Sequence, residues 1–183
     1  MRKNINIIPL IKSCLKNNRK AQKLIFEKYY IIIARVCYRY ADNKSESVKW
    51  IHFIFVDIFS KLNTFNGKTQ GEFISWLKIE SVNYCIKQIR IKYPELFQNL
   101  DESICCGTDE ESDVHTLRNT EPEIIINALH ELNPKYRTIF NMFIMDDYSH
   151  KEIAKKLDIT EAGSKSNIFS AREKLKELLI NKT

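Results

Sequence analysis

Glycine and proline are scarce, at four of each in 183 residues. That scarcity argues against sandwiches, barrels and collagen-like repeats, all of which need many turns. No run approaches the roughly 20 apolar residues of a membrane-spanning helix; the longest, Trp50 to Phe59, is interrupted by His52 and Asp57. The amino-terminal stretch MRKNINIIPLIKS has neither a long apolar core nor a small-residue cleavage site, so a cytoplasmic rather than a secreted protein is expected. Five cysteines (Cys14, Cys37, Cys85, Cys105, Cys106) include no CxxC, and their odd number fits neither a disulfide framework nor a zinc site. Reduced thiols are expected, Cys37 and Cys85 behaving as small core residues. The four histidines share no ligand spacing, and no nucleophile–base pair or carboxylate dyad stands out, so neither an enzyme nor a cofactor or metal protein is expected.

What the chain does have is charge, unevenly placed. The net +6 resolves into +12 over residues 1–94, −8 over 95–123 and +2 over 124–183. A basic excess favours a polyanionic partner. The acidic stretch has no sustained period and carries several Ser, Thr and Asp, which is the pattern of a linker. Around it, apolar residues recur at steps of three and four. Arg19 to Ala41 places Leu24, Ile25, Tyr29, Ile32, Val36 and Tyr40 on one side of a helix; Ser45 to Leu62 does so with Ile51, Ile54, Phe55, Ile58 and Leu62. Phe73 to Arg90 follows through Phe73, Trp76, Leu77, Val82, Ile86 and Ile89, and Pro94 stops it. Helices are also expected over Glu123–Leu132, Pro134–Met145, Ser149–Leu157 and Thr160 to about Ile180. The expected fold is all-α: two small helical domains, 1–94 and 123–183, joined by an acidic linker over 95–122.

The C-terminal part carries a more specific signal. Ser149-His150-Lys151-Glu152 spells a capping box. Ile153, Ala154 and Leu157 form a buried face, and Asp158-Ile159-Thr160 supplies a tight turn and a new cap. A second helix then turns Ile168, Ala171 and Leu175 inward. This is the order of a helix-turn-helix, whose second helix enters the DNA major groove. Ser164, Lys165, Ser166, Asn167 and Ser170 are expected on its outer face, where asparagine reads adenine and serine or lysine meets phosphate or guanine. A merely solvated helix face is the competing explanation. NGKT at Asn66–Thr69 is no phosphate loop, because the required earlier glycine is Leu62.

The stretch ALHELNPKYRTIFNMFIMDDYSHKEIAKKLDITEAGSKSNIFSAREKLKELL resembles region four of sigma-70 family factors, of the small extracytoplasmic-function (ECF) group. Leu10 to Lys92 resembles region two of the same group, through RKAQKLIFEKYY, the NTF before Gly67, and FISWLKIESVNYCIKQIR. The resemblance implies a promoter-specificity subunit that binds bacterial core RNA polymerase and directs promoter-specific initiation. Region four would read the minus-thirty-five element as duplex, and region two would melt and capture the minus-ten element. It places Phe65, Lys68, Asn83, Lys87 and Arg90, with Trp76 and the Asn66–Gln70 loop, at contacts to opened DNA; Phe65 and Trp76 fit core packing as well. It assigns backbone contacts in region four to Arg172 and Lys165, since Ser170 stands where a basic residue is usual. It also implies an anti-sigma partner, often membrane-bound. The polymerase-facing patch departs from the family: an acidic and amide cluster is replaced by Lys49, Trp50, His52 and Phe53, with Trp50 and Phe53 expected to be exposed. Charge complementarity there is lost or reversed, so a degenerate sigma-like DNA-binding regulator or decoy that has lost core binding is the alternative function.

Overall fold

The N-terminal helix is one that periodicity along the chain did not announce. In the computed structural model, which describes residues 7–97 and 122–180, α1 (Ile7–Leu15) buries Ile7, Leu10, Ile11 and Cys14 at helical spacing. Pro9 falls in the first turn, where a missing N–H leaves no hydrogen bond unmade. Asn17 adopts φ 58°, and the Asn18 side chain then accepts the Ala21 N–H at 3.1 Å to start α2 (Arg19–Tyr40).

The buried row of α2 is Ala21, Ile25, Tyr29, Ile33, Val36, Cys37 and Tyr40. Two expected members of that row are corrected. Leu24 is 47% exposed, and within the Ile31-Ile32-Ile33 run it is Ile33 that is buried. Three consecutive isoleucines leave the register of the face undetermined by sequence, and the i, i+4 row through residues 25, 29 and 33 prevails. Asn43 caps α3 (Lys44–Lys61) by accepting the Glu46 N–H. Glu46 in turn accepts the Asp42 N–H. Ile51, Ile54, Phe55 and Ile58 are buried, as is Leu62 in the short 3-10 turn Leu62–Thr64. Helix α4 (Gln70–Lys92) follows, with Phe73, Leu77, Val82, Ile86 and Ile89 buried. Each fully buried side chain of this size contributes about 1.5–3 kcal/mol of burial free energy, which is what holds the amphipathic helices together.

The chain divides into two compact units, Met1–Cys85 and Ile86–Thr183, so the division falls inside α4. In the second unit α5 (Pro122–Glu131) is followed by α6 (Pro134–Phe140), capped by Asn133. The helix expected to run through to Met145 changes its hydrogen-bonding pattern: Asn141–Met145 is π-helical. Then come α7 (His150–Leu157) and α8 (Glu161–Ile180). Helix α8 packs on α5, α6 and α7, around a core of Ala128, Leu129, Leu132, Phe140, Ala171, Leu175 and Leu179. Among the described residues there is no strand, and the fold is all-α. The acidic linker, with Cys105, Cys106 and His115, lies almost wholly outside the described residues. No helix among the described residues is long and apolar enough to cross a membrane.

Candidate nucleic-acid interface

The capping box forms. Ser149 Oγ accepts the Glu152 N–H at 3.3 Å, and Glu152 Oε2 accepts the Ser149 N–H at 2.9 Å and its hydroxyl at 2.7 Å. Those hydrogen bonds, from the Ser149 hydroxyl first and its amide second, hold the Glu152 carboxyl below its ordinary pKa. Ile153, Ala154 and Leu157 are buried. Asp158 ends the helix at φ 60°, ψ 51°, the left-handed conformation that glycine adopts more cheaply. Thr160 accepts the Gly163 N–H at 2.9 Å and opens α8. The two helices and the turn of a helix-turn-helix are therefore present in sequence order.

The outer face of α8 is narrower than the sequence suggested. Lys165 is exposed, and Ser166, Ser170 and Arg172 are half-buried. Ser164 and Asn167 are corrected: both are buried, Ser164 completely. Ser164 Oγ lies 3.0 Å from His150 Nδ1, and Asn167 donates its side-chain N–H to the Gly163 carbonyl at 2.6 Å. Close passage of α7 over the first turns of α8 turns these two polar groups inward, where a local hydrogen bond offsets the cost of burial.

In the N-terminal unit, Phe65 is half-buried in an aromatic cluster. Its ring centroid is 5.1 Å from that of Phe73 and 5.7 Å from that of Trp76, and Phe73 also meets Tyr29 edge-on at 5.2 Å. Gly67 is required by this packing, since a Cβ there would lie 2.5 Å from the Phe65 ring and 2.9 Å from Glu72 Cβ. Beside it, Glu72 Oε2 accepts the Lys68 N–H, the Thr69 N–H and the Thr69 hydroxyl at 2.8–2.9 Å, and Thr69 Oγ1 accepts the Glu72 N–H. NGKT thus leads into a second capping box, Thr69 to Glu72, which the Thr-x-x-Glu spacing spells. The Thr69 hydroxyl leads the groups that lower the Glu72 pKa. On the other side of the loop, Lys61 donates to Asp57 at 2.7 Å and to Glu80 at 3.0 Å, tying α3 to α4. Its pKa is raised, first by the bond to Asp57 and then by that to Glu80. Lys68 is exposed and Asn83 half-buried; Lys87 and Arg90, both exposed, belong to the second unit.

On α3, Lys49, His52 and Phe53 are exposed, Phe53 by 58%, with Val56 beside them one turn on. Trp50 is corrected: it is buried, because it shares the inward row with Ile51 and Ile54.

A family model for sigma-70 region 4 matches residues 123–175. The ECF RNA polymerase sigma factor SigW of Bacillus subtilis (strain 168) is 26% identical over 182 residues, covering 92% of this chain and 94% of that protein. The sigma factor RpoE, in its co-crystal structure with the anti-sigma factor NepR from Bartonella quintana, has the same fold: TM-score 0.51 at 16% identity, over 86% of this chain and 97% of that one. CnrH, in its complex with the cytosolic domain of CnrY, gives a TM-score of 0.49 at 16% identity, over 96% and 97% of the two chains. The region 4 match falls on the helix-turn-helix and the relative spans both units, so along its length the chain is similar to extracytoplasmic-function sigma factors of the sigma-70 family.

Proposed function

We propose that this chain is a sigma factor, one that binds bacterial core RNA polymerase and directs initiation at its own promoters. In this reading α8 contacts the minus-thirty-five duplex, and the N-terminal unit melts and holds the minus-ten element. The observation that carries it is the helix-turn-helix, whose second helix presents Lys165, Ser166, Ser170 and Arg172. Lysine and arginine meet phosphates, and the serine hydroxyls meet phosphates or base edges. Opened bases need aromatic or apolar surfaces with backbone-directed donors; Phe65, Trp76, Lys68 and Asn83 supply these chemistries in the N-terminal unit. No step requires covalent chemistry from the protein. An anti-sigma partner belongs to the same reading, as NepR partners RpoE in the structure that shares this fold.

The test is reconstitution. The full chain, mixed with bacterial core polymerase and a pool of genomic fragments, is expected to co-purify with the enzyme and start transcripts at a small set of sites. A folded protein that neither co-purifies nor initiates refutes the proposal. One observation favours the second reading, a DNA-binding decoy: none of the exposed positions Lys49, His52 and Phe53 is acidic. If Lys49→Glu with Phe53→Asp creates polymerase binding where the wild type has none, the decoy reading holds.

A further inference from the structure

Two side chains of the C-terminal unit lie outside the reading above, Phe143 and His150. Phe143 belongs to the π-helical turn after α6, an irregularity often found at functional positions. Its ring stacks on His150 with centroids 4.3 Å apart and planes 20° from parallel. The guanidinium carbon of Arg172 lies 6.0 Å from the centroid of the same ring. His150 Nδ1 lies 3.0 Å from Ser164 Oγ. Ser164 and Arg172 are both on α8, eight residues apart, or about 12 Å along its axis. Two rings from outside α8 therefore bridge two turns of it, one end at a buried hydroxyl and the other at a half-exposed cation.

We propose that Phe143, seated on His150, is a positioning residue for DNA binding, holding the Arg172 guanidinium on the face of α8 for a backbone phosphate. The proposal rests on the reading that α8 lies against DNA. A guanidinium over an aromatic face is attracted by the ring quadrupole while its donors, in the plane of the group, stay directed past the ring edge. An arginine restricted in this way loses less side-chain freedom on meeting a phosphate than a free one. Leucine keeps an apolar side chain at this position and removes the π face that attracts the guanidinium, so packing and positioning are separable.

The experiment uses the full chain bound to core polymerase, with two probes: a promoter duplex selected by the wild-type holoenzyme, and a scrambled duplex of equal length. Phe143→Leu is expected to weaken binding to both duplexes by about two- to fivefold and to lower the slope of log affinity against log salt by about 0.9, one phosphate's worth. Arg172→Ala gives the same two changes, the double variant gives no further loss, and Phe143→Tyr restores wild-type values. Losses that multiply in the double variant, or a weakened Phe143→Leu whose salt slope is unchanged, overturn the proposal. If Phe143→Leu unfolds the C-terminal unit by circular dichroism, His150→Gln decides: it removes the stacked ring yet keeps a hydrogen-bonding group. A loss in affinity and slope supports the proposal, and no change in either overturns it. Lys165→Ala separates the two levels of inference. Weakened binding there with a neutral Phe143→Leu refutes only the positioning role, whereas no effect from Lys165, Arg172 or Phe143 refutes the DNA-facing assignment of α8.

Discussion

Tyr29 carries a hydroxyl that packing has stranded. Its ring is buried against Phe73, and its oxygen has no hydrogen-bond partner among the described residues. Burial pushes its pKa up. Removing an unsatisfied buried hydroxyl is neutral or favourable, so Tyr29→Phe is expected to leave stability unchanged or raise it by up to about 1 kcal/mol in urea denaturation. The paired aromatics of α3 should behave oppositely. Trp50→Ala, at a buried site, is expected to cost about 3–5 kcal/mol. Phe53→Ala, at an exposed one, should cost less than about 0.5 kcal/mol while weakening co-purification with core polymerase. The turn at Asp158–Thr160 was legible from sequence, because a short stretch with Asp and a capping Thr separates two helices of regular apolar spacing. The inward turn of Trp50 and Asn167 was not. An aromatic or an amide on a helix reads equally well as outward, and only the neighbour that crosses the helix decides.

At the scale of the element, helix starts are set by side chains more than by propensity. Ser149→Ala removes a cap and is expected to cost about 1 kcal/mol, read as a lower denaturation midpoint of the C-terminal unit. Both capping-box glutamates titrate below their ordinary value of 4.5, Thr69 and Ser149 hydroxyls leading the causes. A carboxylate whose pKa falls on folding binds fewer protons in the native chain than in the unfolded one. Their contribution is therefore complete above pH 4.5 and drains away as pH falls through the lowered values. Glu72→Gln with Glu152→Gln should flatten that acid loss, measured as denaturation midpoint between pH 6 and pH 3. The long helices were legible because each repeats its apolar spacing over several turns. Helix α1 has only nine residues and offers too few repeats. The π turn at Asn141–Met145 leaves no mark in composition, since it changes which carbonyl each N–H meets and not which residues are apolar. That is also why the Phe143–His150 stack had no sequence signal.

Across the whole molecule, charge and structure divide differently. The basic excess runs through residue 94, whereas the first compact unit ends at Cys85. Bulk charge was readable by counting, and the outward place of Lys165 from the helix-turn-helix pattern; that Ser164 and Asn167 turn inward, which narrows the outer face of the nearly neutral C-terminal part, required the fold. Burial of Cys14, Cys37 and Cys85 gives this division a practical use. All three thiols lie in the N-terminal unit, and burial raises the Cys14 pKa, away from the reactive thiolate. With Cys105 and Cys106 replaced by serine, an alkylating reagent can label the chain only when that unit opens, so the labelling rate becomes a clock for its opening. A partner that grips the N-terminal unit slows the clock in proportion to its affinity. One that holds only α7 and α8 leaves it running at the free rate, and a single kinetic trace then reports which half of the molecule a partner has taken.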